Sequence, residues 1–199
     1  KSRGPGDTEN AMRQIEREYG IEYGVLWSLR YRRERLKIIS ISVYERIASA
    51  YRAECARQLA ANGWNVVVNF RQNAAKAEAV VEACREAGVD AVAVQGDVAH
   101  DADCRRMVKA TIDRWGRIDG LVNNAGTTRF IQHNRLEDVA DADWENIFGV
   151  NVKGVFQCSR AARPHLEASG SGAIVNVASV AGIVATPTAV SGRLGAILA

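Results

Sequence analysis

The fold class is decided by two apolar runs and the helical pattern between them. The first run reads Asn65-Val66-Val67-Val68-Asn69-Phe70, and the second reads Asp90-Ala91-Val92-Ala93-Val94-Gln95-Gly96-Asp97-Val98. Both are apolar at consecutive positions, which is typical of central parallel strands that helices cover on both faces. The segment 74–87 has helical spacing and ends at Gly88. The sequence therefore predicts a strand, a helix and a second, parallel strand.

The same alternation extends in both directions along the chain. Further strand-like runs lie at 36–43, 120–123 and 173–178, and further helical patterns lie at 44–61, 101–115 and 141–168. This order predicts an α/β protein with a doubly wound, Rossmann-like parallel sheet of five strands, incomplete after the fifth. We expect residues 1–35 to form an N-terminal extension and residues 36–199 to form a partial Rossmann-like domain.

Composition excludes several classes of protein. The 199 residues are 47% apolar and 25% charged, which is ordinary for a globular chain with one core. No apolar run approaches the roughly 18 residues of a membrane span, and no apolar segment follows the basic N-terminus, so we expect a cytoplasmic protein without membrane contact. The four cysteines and three histidines are scattered. We therefore expect reduced, packed thiols and no metal site.

The excess of positive charge lies near the N-terminus. Residues 1–54 hold 11 Lys and Arg against 8 Asp and Glu, whereas residues 55–199 hold 15 against 15. A basic cluster with interleaved aromatic residues lies at 27–37, but it is short and interrupted by Glu34. We interpret it as a solvated face or an extension, and we expect no nucleic-acid partner.

Function in a doubly wound sheet is decided where the strands end, because ligands bind outside their carboxyl ends. The strand 65–70 delivers Asn69 and Arg71, an amide and a cation, where a dinucleotide site meets the adenosine ribose. A cation suits a 2′-phosphate, whereas an acidic residue would accept from a free hydroxyl. This favours NADP over NAD. The alternative is a solvated arginine at the start of the next helix.

Polar and small residues also follow the later strands. The third strand ends in Gly96-Asp97-Val98, and the fourth ends in Asn123-Asn124-Ala125-Gly126. The fourth ending leaves room for a planar ligand, with amides to fix neighbouring strands, or it forms a turn. Asn151 falls on the apolar stripe of the helix 141–168, so its buried amide must brace backbone or hold a water. Ser179 follows the fifth strand, where it could hold a substrate carbonyl or cap a turn.

The order of these motifs resembles the short-chain dehydrogenase/reductase family, and most of all the 3-oxoacyl-acyl-carrier-protein reductase type. The resemblance covers about residues 53–183. It rests on four motifs in order: Asp97-Val98, Asn123-Asn124-Ala125-Gly126, Asn151-Val152-Lys153-Gly154 and Ile174-Val175-Asn176-Val177-Ala178-Ser179-Val180-Ala181-Gly182. It implies NADPH-dependent reduction of a carbonyl or acyl-thioester substrate, and a homo-oligomer in the intact family form.

The resemblance also implies a role for individual residues. Asp97 and Val98 would contact adenine, and Arg71, with Asn69 beside it, would contact the 2′-phosphate. Residues 124–126 would line the ribose and nicotinamide side; they are Asn124, Ala125 and Gly126. The catalytic positions would be Asn151, which holds a proton-relay water, and Ser179, which hydrogen-bonds the substrate carbonyl.

Two family features have no counterpart in this chain. The family's proton-donating tyrosine and its lysine partner follow the serine by about a dozen residues, yet the last Tyr is Tyr51 and the last Lys is Lys153. The glycine-rich turn after the first strand is also missing, since no glycine lies between Gly24 and Gly63. A catalytically silent dinucleotide-binding or oligomer-partner protein is therefore the alternative function. A different doubly wound binding protein is a weaker one.

Overall fold

The computed structural model describes residues 53–129, 131 and 135–178, together with residues 10, 13, 14, 16 and 17. The chain divides into two units, Lys1–Gln58 and Leu59–Ala199, and the elements from residue 59 onward belong to the second. The predicted strand at 36–43 and the predicted site residue Ser179 lie outside the described residues.

Strands and helices alternate as the sequence predicts. A helix covers 53–61 (α1), and it is followed by β1 (Val66–Phe70), α2 (Ala74–Glu86), β2 (Ala91–Gln95), α3 (Asp101–Trp115) and β3 (Gly120–Asn123). A short 3-10 turn at Leu136–Asp138 precedes α4 (Asp141–Phe148), a π-helical segment (Gly149–Gly154), α5 (Val155–Ala168) and β4 (Ala173–Asn176). The strands at 91–95 and 173–176 are shorter than their predicted runs.

The described strands form two parallel pairs. β1 pairs with β2 from Val66 opposite Ala91 to Phe70 opposite Gln95. β3 pairs with β4, and the pairing ends with Asn123 opposite Asn176. Parallel strands joined through helices confirm the predicted α/β class. Parallel pairing also places the carboxyl ends of the two members of each pair side by side.

Helix ends follow the local sequence. The Asn73 side chain accepts a hydrogen bond of 3.0 Å from the backbone N–H of Lys76 and so caps α2. Gly88 after α2 has a φ of +86° and Gly116 after α3 has a φ of +73°. This left-handed conformation is strained for residues with a Cβ, so glycine ends both helices.

Two clusters of the core lie between α3, α5 and the strands. One buried cluster contains Cys104, Met107 and Cys158, and a second contains Ile118, Ala162 and Leu166; Leu121 of β3 packs against both. All four cysteines are thiols rather than disulfides, and three of them are buried. No helix in the described ranges is long and apolar enough to cross a bilayer.

The predicted helix over 141–168 needs one correction. Its turn at Gly149–Gly154 is π-helical, so the chain there is more loosely wound than the segments on either side. Asn151 lies in this turn and is half-buried rather than fully buried. Apolar spacing of four residues continues across the segment, and for this reason the sequence pattern alone did not reveal the change of winding.

Candidate functional site

The carboxyl ends of β1 and β2 bring three of the predicted site residues together. The Asn69 side chain donates to the carbonyl of Gly96 at 2.9 Å and to that of Val94 at 3.3 Å. The Arg71 guanidinium lies 3.7 Å from a carboxylate oxygen of Asp97. Asn69 therefore ties the two strand ends together, while Arg71 places a half-exposed positive charge beside them.

Asp97 organises the turn that follows β2. Its backbone N–H donates to the Asp103 carboxylate at 2.8 Å, and its own carboxylate accepts from the N–H of Ala99 at 3.0 Å. The hydrogen bond from the Asp97 N–H lowers the pKa of Asp103 most, and the hydrogen bond from the Arg106 guanidinium lowers it further. The ionised carboxylate of Asp103 is therefore the form that this hydrogen bond from the turn favours.

Val98, the next residue of this turn, contacts the helical segment around residue 155. Its carbonyl accepts a hydrogen bond of 2.9 Å from the Gln157 side chain. Gln157 is not among the site residues that the sequence predicts. A signal was present, because its amide lies next to Cys158 on the buried side of a helix, where a polar group needs a partner.

The ends of β3 and β4 are joined by amides, as the sequence predicts. Asn123 is 8% exposed, and its side chain donates to the Asn176 side chain at 2.9 Å and to the Ser159 hydroxyl at 3.2 Å. The backbone N–H of Val177 donates to the Asn123 carbonyl. Asn123 therefore fixes the neighbouring strand.

Asn151 braces the loop after β3. Its amide group donates to the Thr127 carbonyl at 2.9 Å, and its side-chain oxygen accepts from the Thr127 N–H at 2.8 Å. Bracing of backbone, one of the two roles that the sequence left open for Asn151, is therefore present in the structure. The residues just before Thr127 include two exposed ones, Ala125 and Gly126, and the half-buried Asn124.

One helical segment contacts the carboxyl ends of both strand pairs. Asn151 holds the loop after β3, and Gln157 holds the turn after β2. The predicted adenine-side residues and the predicted nicotinamide-side residues are therefore both connected to residues 149–157. Within the described part of the chain, no group of three or more His, Cys, Asp or Glu side chains could hold a metal ion.

A family model described as short chain dehydrogenase matches residues 52–191. The chain belongs to this family. Membership confirms the recognition made from the motifs and the Rossmann-like α/β class, and the matched range extends beyond the residues 53–183 that carried the resemblance. The strand ends described above all lie within the matched range.

Named relatives cover part of the chain. This chain is 42% identical to the 3-oxoacyl-[acyl-carrier-protein] reductase FabG of Staphylococcus aureus over 132 aligned residues. The alignment covers 66% of this chain and 52% of the relative. The chain thus spans about half the length of this curated relative.

Two solved structures with similar folds differ in their nicotinamide cofactor. A gluconate 5-dehydrogenase from Burkholderia cenocepacia, in complex with NADP and tartrate, is 34% identical with a TM-score of 0.62, covering 74% of this chain and 55% of that one. An NADH-dependent reductase, A1-R′, responsible for alginate metabolism, is 29% identical with a TM-score of 0.64, covering 75% and 62%. The fold alone therefore leaves the choice of cofactor open.

Proposed function

We propose that this chain is a cytoplasmic short-chain dehydrogenase core that binds NADPH and serves the reduction of a carbonyl substrate resembling a 3-oxoacyl thioester. We also propose that its dinucleotide-binding domain begins at residue 36. The observation that carries the proposal is the pairing of Arg71 with Asp97 at the carboxyl ends of β1 and β2.

Preference for NADPH is argued from charge. The Arg71 side chain is 49% exposed and lies where the adenosine ribose of a bound dinucleotide is expected. A guanidinium forms charge-assisted hydrogen bonds with a phosphate, and no carboxylate stands at the end of β1 to accept from a free 2′-hydroxyl. The NADP complex of the gluconate 5-dehydrogenase supports this choice, and the NADH-dependent reductase makes NADH the cofactor to test against it.

The predicted site residues that follow β2 and β3 would bind the rest of the dinucleotide. Asp97 and Val98 would contact adenine, and their turn is already fixed by its own hydrogen bonds. Asn124, Ala125 and Gly126 would line the ribose and nicotinamide side, where small side chains leave backbone accessible. When bound, the reduced nicotinamide supplies a hydride.

The chain's own residues would position the substrate and handle the proton. Ser179 would hydrogen-bond the carbonyl, and Asn151 would keep the loop at Thr127 in place beside a relay water. The residues after Ser179 contain neither tyrosine nor lysine. Losing a positioned general acid typically costs on the order of 10² to 10⁴ in rate. We therefore propose that this chain by itself turns over slowly.

A second candidate is a catalytically silent dinucleotide-binding protein or oligomer partner. The missing tyrosine and lysine favour it, because they remove the proton donor and leave the described strand-end contacts intact. It differs from the first candidate in turnover and not in cofactor binding.

We further propose that two copies associate through α4, the π-helical segment and α5. Large apolar side chains are exposed there at every fourth position: Trp144 at 40%, Val152 at 49% and Phe156 at 60%, with Phe148 half-buried between them. In an α-helix, residues four positions apart point in directions that differ by about 40° around the helix axis, so a stripe with this spacing winds around the helix. The wider π-helical turn reduces this winding and keeps the apolar stripe on one side.

Charge favours an antiparallel arrangement of the two copies. The apolar stripe is symmetric about residue 150, and the exposed residues Glu145 and Lys153 each follow one of its members. With a two-fold axis near residue 150, Glu145 of one copy lies close to Lys153 of the other at two equivalent places.

Sedimentation of the wild-type chain and of the Phe156→Glu variant tests this association. We expect a dimer for wild type and a monomer for the variant, and a monomeric wild type contradicts the proposal.

The decisive experiment for the dinucleotide site is a fluorescence titration of the full chain with NADPH and with NADH. We expect saturable binding with a preference for NADPH. Steady-state turnover with NADPH and an acetoacetyl thioester then separates the two candidates. Turnover near that of an ordinary reductase contradicts the proposed slow turnover. Undetectable turnover with tight NADPH binding favours the catalytically silent protein. Absence of NADPH binding overturns both candidates.

A further inference from the structure

The carbonyl of Val98 is held by two side chains from two different helices. Gln157 of α5 donates to it at 2.9 Å, and the Cys104 thiol of α3 donates at 3.4 Å. Cys158 in turn donates to the Cys104 sulfur, also at 3.4 Å. Gln157 is 59 residues away along the chain and only 3% exposed. A single carbonyl after β2 thus receives two buried donors.

The side chain of Val98 is fixed by the same helical segment. A Cβ placed on Gly154 would lie 2.8 Å from a methyl carbon of Val98 and 3.1 Å from its carbonyl oxygen. Val98 therefore packs against bare backbone at the end of the π-helical turn. One turn further along, Gln157 reaches the carbonyl of the same residue.

Stability alone does not explain a glutamine at this position. Its neighbours Cys158 and Ala161 are buried and apolar or weakly polar. Burying an amide carries a desolvation cost that its hydrogen bonds only partly exceed, and an apolar side chain of the same shape is often as stable. What the amide adds is a directional constraint on one backbone carbonyl.

We propose that Gln157, assisted by Cys104, is a positioning residue for the adenine end of the dinucleotide site. It fixes the turn at Asp97 and Val98 in the form that binds adenine, before any ligand arrives. The inference rests on the proposed function for its ligand, and the ordering of the turn is measurable without a ligand. Burial raises the pKa of both Cys104 and Cys158, which keeps these thiols protonated and able to donate.

Three full-length variants test the proposal. Gln157→Leu and Gln157→Met remove the amide with little change in volume, and the second serves if the first does not fold. Thr111→Val is the matched control, because it removes a side-chain hydrogen bond of 2.9 Å to the Met107 carbonyl elsewhere on α3. Each variant is titrated with NADPH, with adenosine 2′,5′-bisphosphate and with nicotinamide mononucleotide.

We expect loss of the amide to weaken NADPH and adenosine 2′,5′-bisphosphate by roughly tenfold, the effect of one lost hydrogen bond, and to leave nicotinamide mononucleotide unchanged. A role confined to folding would weaken all three ligands alike, and that result overturns the proposal. The Thr111→Val control should bind all three as wild type does.

Hydrogen exchange of the ligand-free proteins supplies the independent measurement. We expect faster exchange at residues 97–104 in both Gln157 variants and no change there in Thr111→Val. Unchanged exchange at these residues overturns the positioning role, whether or not the chain binds a dinucleotide. If wild type binds no dinucleotide, the proposed function falls, and faster exchange still supports Gln157 as the residue that orders this turn.

Discussion

The side chain of Asn151 forms hydrogen bonds with both backbone polar groups of Thr127. This reciprocal pair joins the π-helical turn to the loop after β3, across 24 positions of sequence. An amide can serve both groups because it carries a donor and an acceptor on the same planar unit. The loop that we propose to lie beside the cofactor is thus fixed by Asn151, the residue that we also propose for the proton relay.

Replacing Asn151 should destabilise the chain. Asn151→Ala leaves the partly buried N–H and carbonyl of Thr127 without their partner, so we expect a loss of about 1–3 kcal/mol in the free energy of unfolding. Urea unfolding followed by circular dichroism measures this. Asn146→Ala, an exposed asparagine on α4, is the control and should be near neutral. Equal effects of the two substitutions would contradict the bracing role.

Two glycines of the π-helical segment should respond differently to alanine. A Cβ at Gly154 would meet Val98 at 2.8 Å, whereas one at Gly149 would lie 3.5 Å from the Ala99 methyl, an ordinary contact. We expect Gly154→Ala to cost about 1–3 kcal/mol through overpacking. Gly149→Ala should be neutral or stabilising by up to about 1 kcal/mol, because alanine restricts the unfolded chain. Thermal unfolding of both variants decides this, and a harmless Gly154→Ala would show that Val98 can move.

Arg71 should select between the two nicotinamide cofactors. If its guanidinium binds the 2′-phosphate, Arg71→Gln weakens NADPH by about 10- to 100-fold, the value of a charge-assisted hydrogen bond, and leaves NADH unchanged. Fluorescence titration with both cofactors measures the ratio of affinities. Lys76→Gln removes a nearby positive charge on α2 and should change neither affinity greatly. A parallel loss of NADPH and NADH in Arg71→Gln would argue against 2′-phosphate recognition.

Acid should weaken the fold partly through Asp90. Its carboxylate accepts two hydrogen bonds of 2.7 Å from Arg114 and one of 2.9 Å from Trp115, and the Arg114 bonds chiefly lower the pKa of Asp90 from 3.8 to about 2. Because the folded state holds the ionised form, this stabilisation is present above about pH 4 and is lost as the pH falls towards 2.

The prediction is tested by substituting either partner. Asp90→Asn and Arg114→Gln should both make the fall in stability between about pH 4 and pH 2 shallower, since each removes the shifted titration. Urea midpoints across this range provide the measurement. A slope equal to that of wild type in both variants would show that other groups dominate acid unfolding.

Much of the fold could be predicted because its signals are local. Strand and helix patterns at 65–98 depend on neighbouring residues, and the structure places β1, α2 and β2 inside those bounds. The glycine stop at Gly88 and the use of amides to fix neighbouring strands also followed from residue type. The π-helical turn did not, because the apolar spacing of four residues continues unchanged across it.

The sequence by itself determined the α/β class, the family and the set of polar residues at the strand ends. Periodicity and motif order can be read along the chain without knowing which residues are in contact. Only the tertiary structure decided which of those residues meet. Asn69 reaches the carbonyl of Gly96, 27 positions away, and Gln157 reaches that of Val98, 59 positions away. The first contact follows from the pairing of β1 with β2, and the second follows from the packing of α5 against the turn after β2. Both depend on three-dimensional packing that no local pattern encodes.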